Sequence, residues 1–306
     1  YKRQVLRRSR MKEKPFSKYQ ILANAVMIIW TLAIILPFIL LFMSSITDEN
    51  TLVANGYSFF PKKFSLASYS YIIKSGGQIL KAYGVSIGVT VVGTLLNVLL
   101  SALMAYPLSV KNLPGRNVMM FFVFFTMLFN GGIVPSYIMW TGTFHIKDTI
   151  FAQLLPNFLL SAWNVMMIRT YFTTSIPDGL YEAAEIDGAS QFTIFWKIVL
   201  PLGKPILVTM GTFAGLAYWN DWTNGLYYIV KNTGLYNVQN LLNQMVQNIQ
   251  FLTQSSNSNV TAAASTIPAT GIQMAIAFVA ILPIMLIFPS FQKYYAKGIA
   301  LGAVKG

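Results

Sequence analysis

Cysteine is absent from the 306 residues, and histidine occurs only once, at His145. The lack of cysteine excludes disulfide bonds, thiolate metal sites and cysteine nucleophiles. A single histidine also excludes a histidine pair, whether for holding a metal ion or for acid–base catalysis. We therefore expect neither a metal site nor catalytic residues in this chain.

Charge is scarce as well. Charged residues make up 10% of the sequence and hydrophobic residues 55%, with a mean hydropathy of +0.55. A soluble domain uses roughly 25% charged residues to cover its surface. Because a chain this long with so few charges cannot solvate an ordinary surface, the composition predicts a membrane protein.

Only nine residues are acidic, and Asp221 is the one that falls at membrane depth. Nothing pairs with it to form an acid–base couple, which argues against an intramembrane enzyme. The spans lack the ionisable midplane groups that ion-coupled carriers use. The sequence also has no glycine-rich phosphate loop with a lysine, so any ATP hydrolysis must come from a partner.

Six apolar segments are each long enough to cross a hydrocarbon core of roughly 30 Å at about 1.5 Å per residue. They cover approximately residues 20–43, 83–108, 117–139, 150–171, 205–228 and 269–291. The sequence therefore predicts an all-α polytopic membrane protein with six transmembrane helices.

The basic residues predict the orientation of these spans. The net charge of +13 does not indicate nucleic-acid binding, because eight of the 22 Lys and Arg lie in the first 18 residues, directly before an apolar run. That run is too long for a cleaved signal peptide. The segments placed inside carry 16 Lys and Arg and those outside carry six, which predicts both termini in the cytoplasm.

The predicted organisation follows from the spans and their orientation. It comprises a basic cytoplasmic tail (1–19), a first helix (20–43), an extracellular loop (44–81), a five-helix core (82–292) and a cytoplasmic tail (293–306). Within the core, residues 172–203 form a long cytoplasmic connection and residues 229–268 a polar extracellular loop.

The connection 172–203 reads as two short helices. Pro177 suits the first turn of a helix, and Gly188 falls where a left-handed residue is expected after the last turn. A second helix with several aromatic residues follows and is predicted to stop at Pro201. The pattern indicates a helix–glycine–helix elbow, which is hereafter called the elbow.

The elbow carries a motif. Glu182-Ala183-Ala184, Gly188 and Ile198-x-Leu200-Pro201 resemble the EAA motif of ABC importer permeases at every spacing. The resemblance implies the type I ABC importer permease fold and a coupling helix that docks in a cleft of the ATPase. The coupling residues carried over are Glu182, Ala183, Ala184, Asp187, Gly188, Ile198, Leu200 and Pro201. An ordinary interfacial helix would explain the aromatic residues but not the glycine and proline spacing.

Further segments extend the resemblance. Residues 129–137, 186–190, 219–222 and 297–306 look like the MalG-like subunits of the maltose-type carbohydrate importers, in the LplC/YtcP-like branch. The family implies a heterodimer with a homologous second permease in a bacterial cell membrane. It also implies two ATPase subunits that bind ATP and Mg, and an extracellular, lipid-anchored solute-binding protein. The tail 297–306 would reach into the ATPase pair, the loop 229–268 would contact the binding protein, and this chain itself would bind no cofactor.

Polar residues repeat at helical spacing in two predicted spans. The second span carries Ser86, Thr90, Thr94, Asn97 and Ser101, and the fourth carries Gln153, Asn157, Ser161 and Asn164. Such stripes suit a path for a hydroxyl-rich solute, or they bond neighbouring helices. The second reading is favoured for the second span, and both stay open for the fourth.

A further cluster lies in the outer third of the fifth span. It comprises Tyr218, Trp219, Asn220 and Asp221, with Trp222 as a candidate interfacial aromatic. The candidate substrate pathway therefore also includes Tyr218, Trp219, Asn220 and Asp221, together with Asn130. A structural hinge explains the cluster equally well.

The sequence thus predicts a permease subunit that moves oligosaccharides into the cytoplasm by alternating access. The alternatives are an ABC permease for another solute, such as a peptide, and an ion-coupled carrier.

Overall fold

The computed structural model describes residues 18–74, 76–254 and 269–303. The predicted basic tail up to residue 17, the end of the loop at 255–268 and the last three residues lie outside this description. Apart from an isolated bridge between Thr47 and Phe64, the regular structure of the described residues is helical.

The chain contains fifteen α-helical segments within the described ranges, several of them continued by π-helical turns. They are α1 Lys18–Ser45, α2 Glu49–Asn55, α3 Ala67–Lys74, α4 Gly76–Ser109, α5 Arg116–Leu128, α6 Ile133–Ile138, α7 Phe151–Leu154, α8 Ala162–Ser175, α9 Asp178–Ile186, α10 Gln191–Ile194, α11 Leu200–Leu202, α12 Lys204–Asn220, α13 Thr223–Tyr228, α14 Val238–Gln254 and α15 Ala269–Ala303. Met139–Thr143 and Phe195–Val199 are π-helical, and Thr233–Leu235 is a 3-10 turn.

Two compact units make up the chain: Tyr1–Ser70 with Ile267–Phe278, and Tyr71–Thr266 with Val279–Gly306. In the first unit, the Glu49 carboxylate accepts hydrogen bonds from the backbone N–H groups of Thr270 (2.9 Å) and Gly271 (2.8 Å). These are N–H groups of the first turn of α15, which lack partners within the helix. A Cβ at Gly271 would lie 2.5 Å from Ser68 Oγ and would have to displace that hydroxyl.

Small residues let α4 and α12 pack closely at the centre of the second unit. Gly211 and Gly215 lie on one face of α12, where a Cβ would come within 3.3 Å of Val98 and Thr94 on α4. On α4, a Cβ at Gly93 would overlap the buried ring of Tyr218. Close backbone approach through glycine is typical of helices that associate within membranes.

Among the described residues, three helices are long and apolar enough to cross a membrane: Lys18–Ser45, Gly77–Ser109 and Thr270–Ile287. Two bent pairs raise the number to five if each pair is one span. Arg116–Leu128 meets Ile133–Thr143 at 109°, and Gln191–Leu202 meets Lys204–Asn220 at 78°.

Three of the predicted spans are therefore interrupted. Hydropathy predicts a continuous helix over 117–139, but α5 ends at Leu128, where Asn130 Oδ1 accepts the backbone N–H of Gly132 in a turn. The segment 205–228 breaks after Asn220, because Asp221 caps a new helix there.

The span predicted over 150–171 is not one helix either. Only Phe151–Leu154 and Ala162–Ser175 are helical, and Pro156 with Asn157, whose φ is +67°, separates them. Proline lacks the N–H that would continue the helix, and a positive φ is incompatible with helical backbone.

The contact between Gly93 and the Tyr218 ring can be tested with Gly93→Ala. Overpacking of this kind costs about 1–3 kcal/mol, so we expect a lower melting temperature of the detergent-solubilised protein. Gly88→Ala on the same helix is the control, since a Cβ at Gly88 meets nothing within 4 Å. Equal melting temperatures for the two variants would contradict the packing described here.

Candidate functional site

The first arm of the elbow is α9. Pro177 immediately precedes it and Asp178 occupies its first turn, where a carboxylate interacts favourably with the helix dipole. Gly188 has a φ of +75°, and its N–H donates to the carbonyl of Glu185 at 3.0 Å. The left-handed residue expected after this helix is therefore at Gly188, as the spacing predicts.

The second arm runs directly into α12. Ser190 begins it by accepting the backbone N–H of Thr193 on its Oγ at 3.2 Å. The helix was expected to stop at Pro201, but α11 continues to Leu202, and the chain then bends at Gly203. A Cβ at Gly203 would lie 2.5 Å from Phe172 Cε1, so the bend requires glycine.

The motif residues divide by exposure. Glu182, Ala183, Asp187, Gly188 and Pro201 are exposed, whereas Ala184 is buried and Ile198 and Leu200 pack against the same core cluster as Ala184. The neighbouring side chain of Ile186 is 86% exposed, which is unusual for an isoleucine. One face of α9 therefore presents acidic, small and apolar side chains to its surroundings.

Polar and aromatic contacts hold the elbow against α4. The hydroxyl of Tyr106 donates to Gln191 Oε1 at 2.5 Å, and Gln191 Nε2 donates to Glu185 Oε1 at 2.8 Å, which links both arms. The Tyr106 ring also stacks on Tyr181 and packs against Phe195, with ring centroids 6.4 and 5.4 Å away. The two arms of the elbow are thus bonded to each other and packed against the end of α4.

Three of the four polar residues named in the predicted fourth span bond to protein groups. Asn164 Nδ2 donates to Asn97 Oδ1 at 2.7 Å, and Asn157 Nδ2 donates to Asn224 Oδ1 at 3.2 Å. Gln153, at 1% exposure, donates to the carbonyl of Leu235. Ser161 precedes α8, and its side chain makes no capping bond in the described structure.

Two rings of the fifth-span cluster are buried. The hydroxyl of Tyr218 donates to the carbonyl of Leu154 at 2.9 Å. The indole N–H of Trp219 donates to the carbonyl of Ala280 at 3.3 Å. Asn220 is exposed. Bonding within the protein accounts for these polar atoms, and a substrate role for this set and for the exposed Asn130 stays a prediction.

Asp221 forms the break in the fifth predicted span. Its Oδ1 accepts the backbone N–H of Thr223 at 3.0 Å, the Thr223 hydroxyl at 2.7 Å and the backbone N–H of Asn224 at 3.3 Å. Asp221 thereby caps α13, while its Oδ2 is buried and has no hydrogen-bond partner among the described residues. A carboxylate at this depth therefore has a structural function in ending one helix and starting the next.

The structure adds residues that sequence reasoning missed. Asn237 and Asn240 bond to the carbonyls of Asp221 and Trp222, and their spacing of three residues at the start of a helix is a signal that could have been noticed. Asp148 accepts the backbone N–H groups of Val230, Lys231 and Asn232. These bonds, led by those from Lys231 and Val230, hold the pKa of Asp148 below its usual value.

Comparison with known proteins agrees with this architecture. Residues 14–301 match the family described as the binding-protein-dependent transport system inner membrane component. The chain belongs to this family. It is therefore a membrane-embedded permease subunit of a binding-protein-dependent ABC importer, and separate ATPase subunits hydrolyse the ATP.

The permease is similar to two proteins of Bacillus subtilis (strain 168). It is 36% identical to protein LplC over 89% of this chain and 90% of that protein. It is also 36% identical to the polygalacturonan/rhamnogalacturonan transport system permease protein YtcP, over 94% and 98% of the two chains. A solved bacterial ABC transporter involved in the import of the acidic polysaccharide alginate matches with a TM-score of 0.77 and 26% identity, covering 92% of this chain and all of that one.

We predict that Gly188→Asp prevents coupling to the ATPase. A side chain at a φ of +75° is strained, and a third acidic group would disturb the face formed by Glu182 and Asp187. The measurement is the amount of ATPase that co-purifies with the tagged permease from membranes, and we expect at least a tenfold loss, about 1.4 kcal/mol of binding.

The matched control for this variant is Gly179→Ala. Gly179 lies in the same helix, has no positive φ, and a Cβ there meets nothing within 4 Å. It should co-purify normally. Normal ATPase recovery with Gly188→Asp, at normal membrane abundance, would refute the coupling assignment.

Proposed function

We propose that this permease is one half of a heterodimeric importer that carries oligosaccharides, in particular fragments of plant or acidic polysaccharides. The observation that carries the proposal is the 36% identity, over nearly the whole of both chains, to a permease named for polygalacturonan and rhamnogalacturonan transport. The likeness to an importer of alginate supports the same class of cargo. An extracellular, lipid-anchored binding protein would deliver the solute.

The proposed topology is six spans with both termini in the cytoplasm. The interrupted segments α5–α6, α7–α8 and α12–α13 would each contribute one crossing, beside α1, α4 and α15. The excess of Lys and Arg in the segments assigned to the inside supports this orientation. The elbow then faces the cytoplasm, and α14 lies at the outer surface.

The exposed face of α9 is the proposed docking surface for one of two ATPase subunits. Ala183 and Gly188 allow close approach, Ile186 offers an apolar side chain that is 86% exposed, and Glu182 offers a carboxylate to a basic cleft. ATP and Mg would be bound by the ATPase subunits. The C-terminal tail would extend toward them along the helical backbone that continues to Ala303.

The homologous second permease would cover a groove on the second unit. The groove has a volume of about 540 Å³ and lies between α4, α12 and the part of α15 that contains Pro283. Its lining is apolar apart from threonines, and the hydroxyls of Thr90 and Thr94 have no partner among the described residues. An apolar groove with glycines on its wall suits a helix from another membrane subunit.

Alternating access is the proposed mechanism. ATP binding would close the ATPase pair and move the two elbows. Because the second arm runs through the bend at Gly203 into α12, the movement would pass to the helix that packs closest to α4. The spans would then open outward to receive the solute from the docked binding protein.

The cargo and the energy source can be tested together in proteoliposomes that contain both permeases, the ATPase and the binding protein. We expect uptake of labelled oligogalacturonides, loss of uptake when the phosphate-binding lysine of the ATPase is replaced, and little effect of an uncoupler. A peptide of similar mass is the control solute. Uptake of the peptide but not of the oligogalacturonides would contradict the proposed cargo. Loss of uptake with the uncoupler but not with the ATPase variant would contradict the ATP-driven mechanism.

A further inference from the structure

The N-terminal end of α14 is held by side chains from other segments. Ser86 of α4 accepts the backbone N–H of Val238 on its Oγ at 2.8 Å. Gln153 accepts from Asn237 Nδ2 at 3.4 Å and donates to Asn240 Oδ1 at 3.1 Å. Both asparagines are buried, at 2% and 3% exposure. The start of α14 is thus integrated into the core, whereas residues 247, 248, 250 and 251 of the same helix are exposed.

The same asparagines complete the break in the neighbouring segment. Asn237 Nδ2 donates to the carbonyl of Asp221 at 2.7 Å, and Asn240 Nδ2 donates to the carbonyl of Trp222. The carbonyl of Trp222 also accepts the N–H of Leu226 in α13 at 3.1 Å, whereas the carbonyl of Asp221 has no other partner among the described residues. Because buried backbone carbonyls require partners, the carbonyl of Asp221 depends on Asn237, at the start of α14, for its hydrogen bond.

Gly225 makes room for this contact. A Cβ at Gly225 would overlap the side-chain amide of Asn240. Both polar atoms of that amide are used, since Nδ2 donates to Trp222 and Oδ1 accepts from Gln153. Asn240 is therefore held in one orientation, and its side-chain amide occupies space that is free only because residue 225 is glycine.

The helix that ends at this break is the one that begins at the elbow. Lys204 follows the bend at Gly203, and Asn220 precedes Asp221, so α12 joins the two sites over 17 residues. A displacement of α14 would shift the two asparagine side chains that donate to the carbonyls of Asp221 and Trp222. That displacement would reach α12 through the backbone of Asp221, the residue that directly follows it.

We propose that Asn237 and Asn240 form a latch that couples α14 to α12. They are positioning residues. When the binding protein contacts the exposed residues of α14 and displaces this helix, the latch transmits the displacement to α12 and so to the elbow. This inference rests on the proposed function, which places α14 outside and the elbow inside. Both latch side chains are buried and bond to protein groups.

The test uses the reconstituted importer with its ATPase and measures ATP hydrolysis without and with saturating binding protein. For Asn240→Ala we expect basal hydrolysis within about twofold of wild type and stimulation by the binding protein reduced roughly tenfold, a typical size for coupling between sites. Gly225→Ala, which displaces the amide without removing it, should give the same loss. The double variant should lose no more than either single variant, because both act on one contact.

Gln239→Ala is the matched control, since Gln239 lies on the same helix between the two latch residues and its half-buried side chain bonds to no described residue. It should retain both rates. Rates are expressed per assembled complex, and Asn237→Ala provides a second variant if Asn240→Ala assembles poorly. Unchanged stimulation in Asn240→Ala and Gly225→Ala would overturn the latch, and so would an equal fall in basal and stimulated rates. Absence of stimulation in the wild type would instead overturn the proposed function.

Discussion

The close approach of α4 and α12 is the constraint on which the second unit depends. Glycines at positions 93, 211 and 215 bring the two backbones together, and the ring of Tyr218 fills the space above Gly93. In a membrane the hydrophobic effect does not drive helices together, so this fit has to supply much of the association energy. The elbow, the break at Asp221 and the groove are all positioned by this contact.

A network of side-chain amides surrounds the helix break at Asp221. The chain has few charges, and the network that joins Gln153, Asn224, Asn237 and Asn240 contains one carboxylate, Asp221. An amide both donates and accepts without the large cost of burying a charge. It can therefore complete a broken helix inside a membrane protein, where an unpaired carbonyl would be costly.

Both ends of α12 are helix breaks that join it to another segment. At one end a glycine bend joins it to an arm that packs against Phe172, and at the other a capping carboxylate and two asparagines join it to α14. At the Gly203 bend the backbone bonds are local, with the Gly203 N–H donating to the carbonyl of Val199 at 2.7 Å, whereas at the Asp221 break the start of α14 supplies the donor. The helix α12 is thereby attached to the elbow at one end and to α14 at the other.

The sequence by itself determined the membrane character, the helical class and the elbow, because scarcity of charge, long apolar runs and the required backbone at Gly188 are local properties. Tertiary structure decided where the predicted spans break, since hydropathy averages over a residue such as Asn157 with its positive φ. It also decided which elbow residues face outward, Glu182 rather than Ala184, and which amides bond to protein. Those outcomes depend on contacts as distant in sequence as Gln153 and Asn240, which no local pattern specifies.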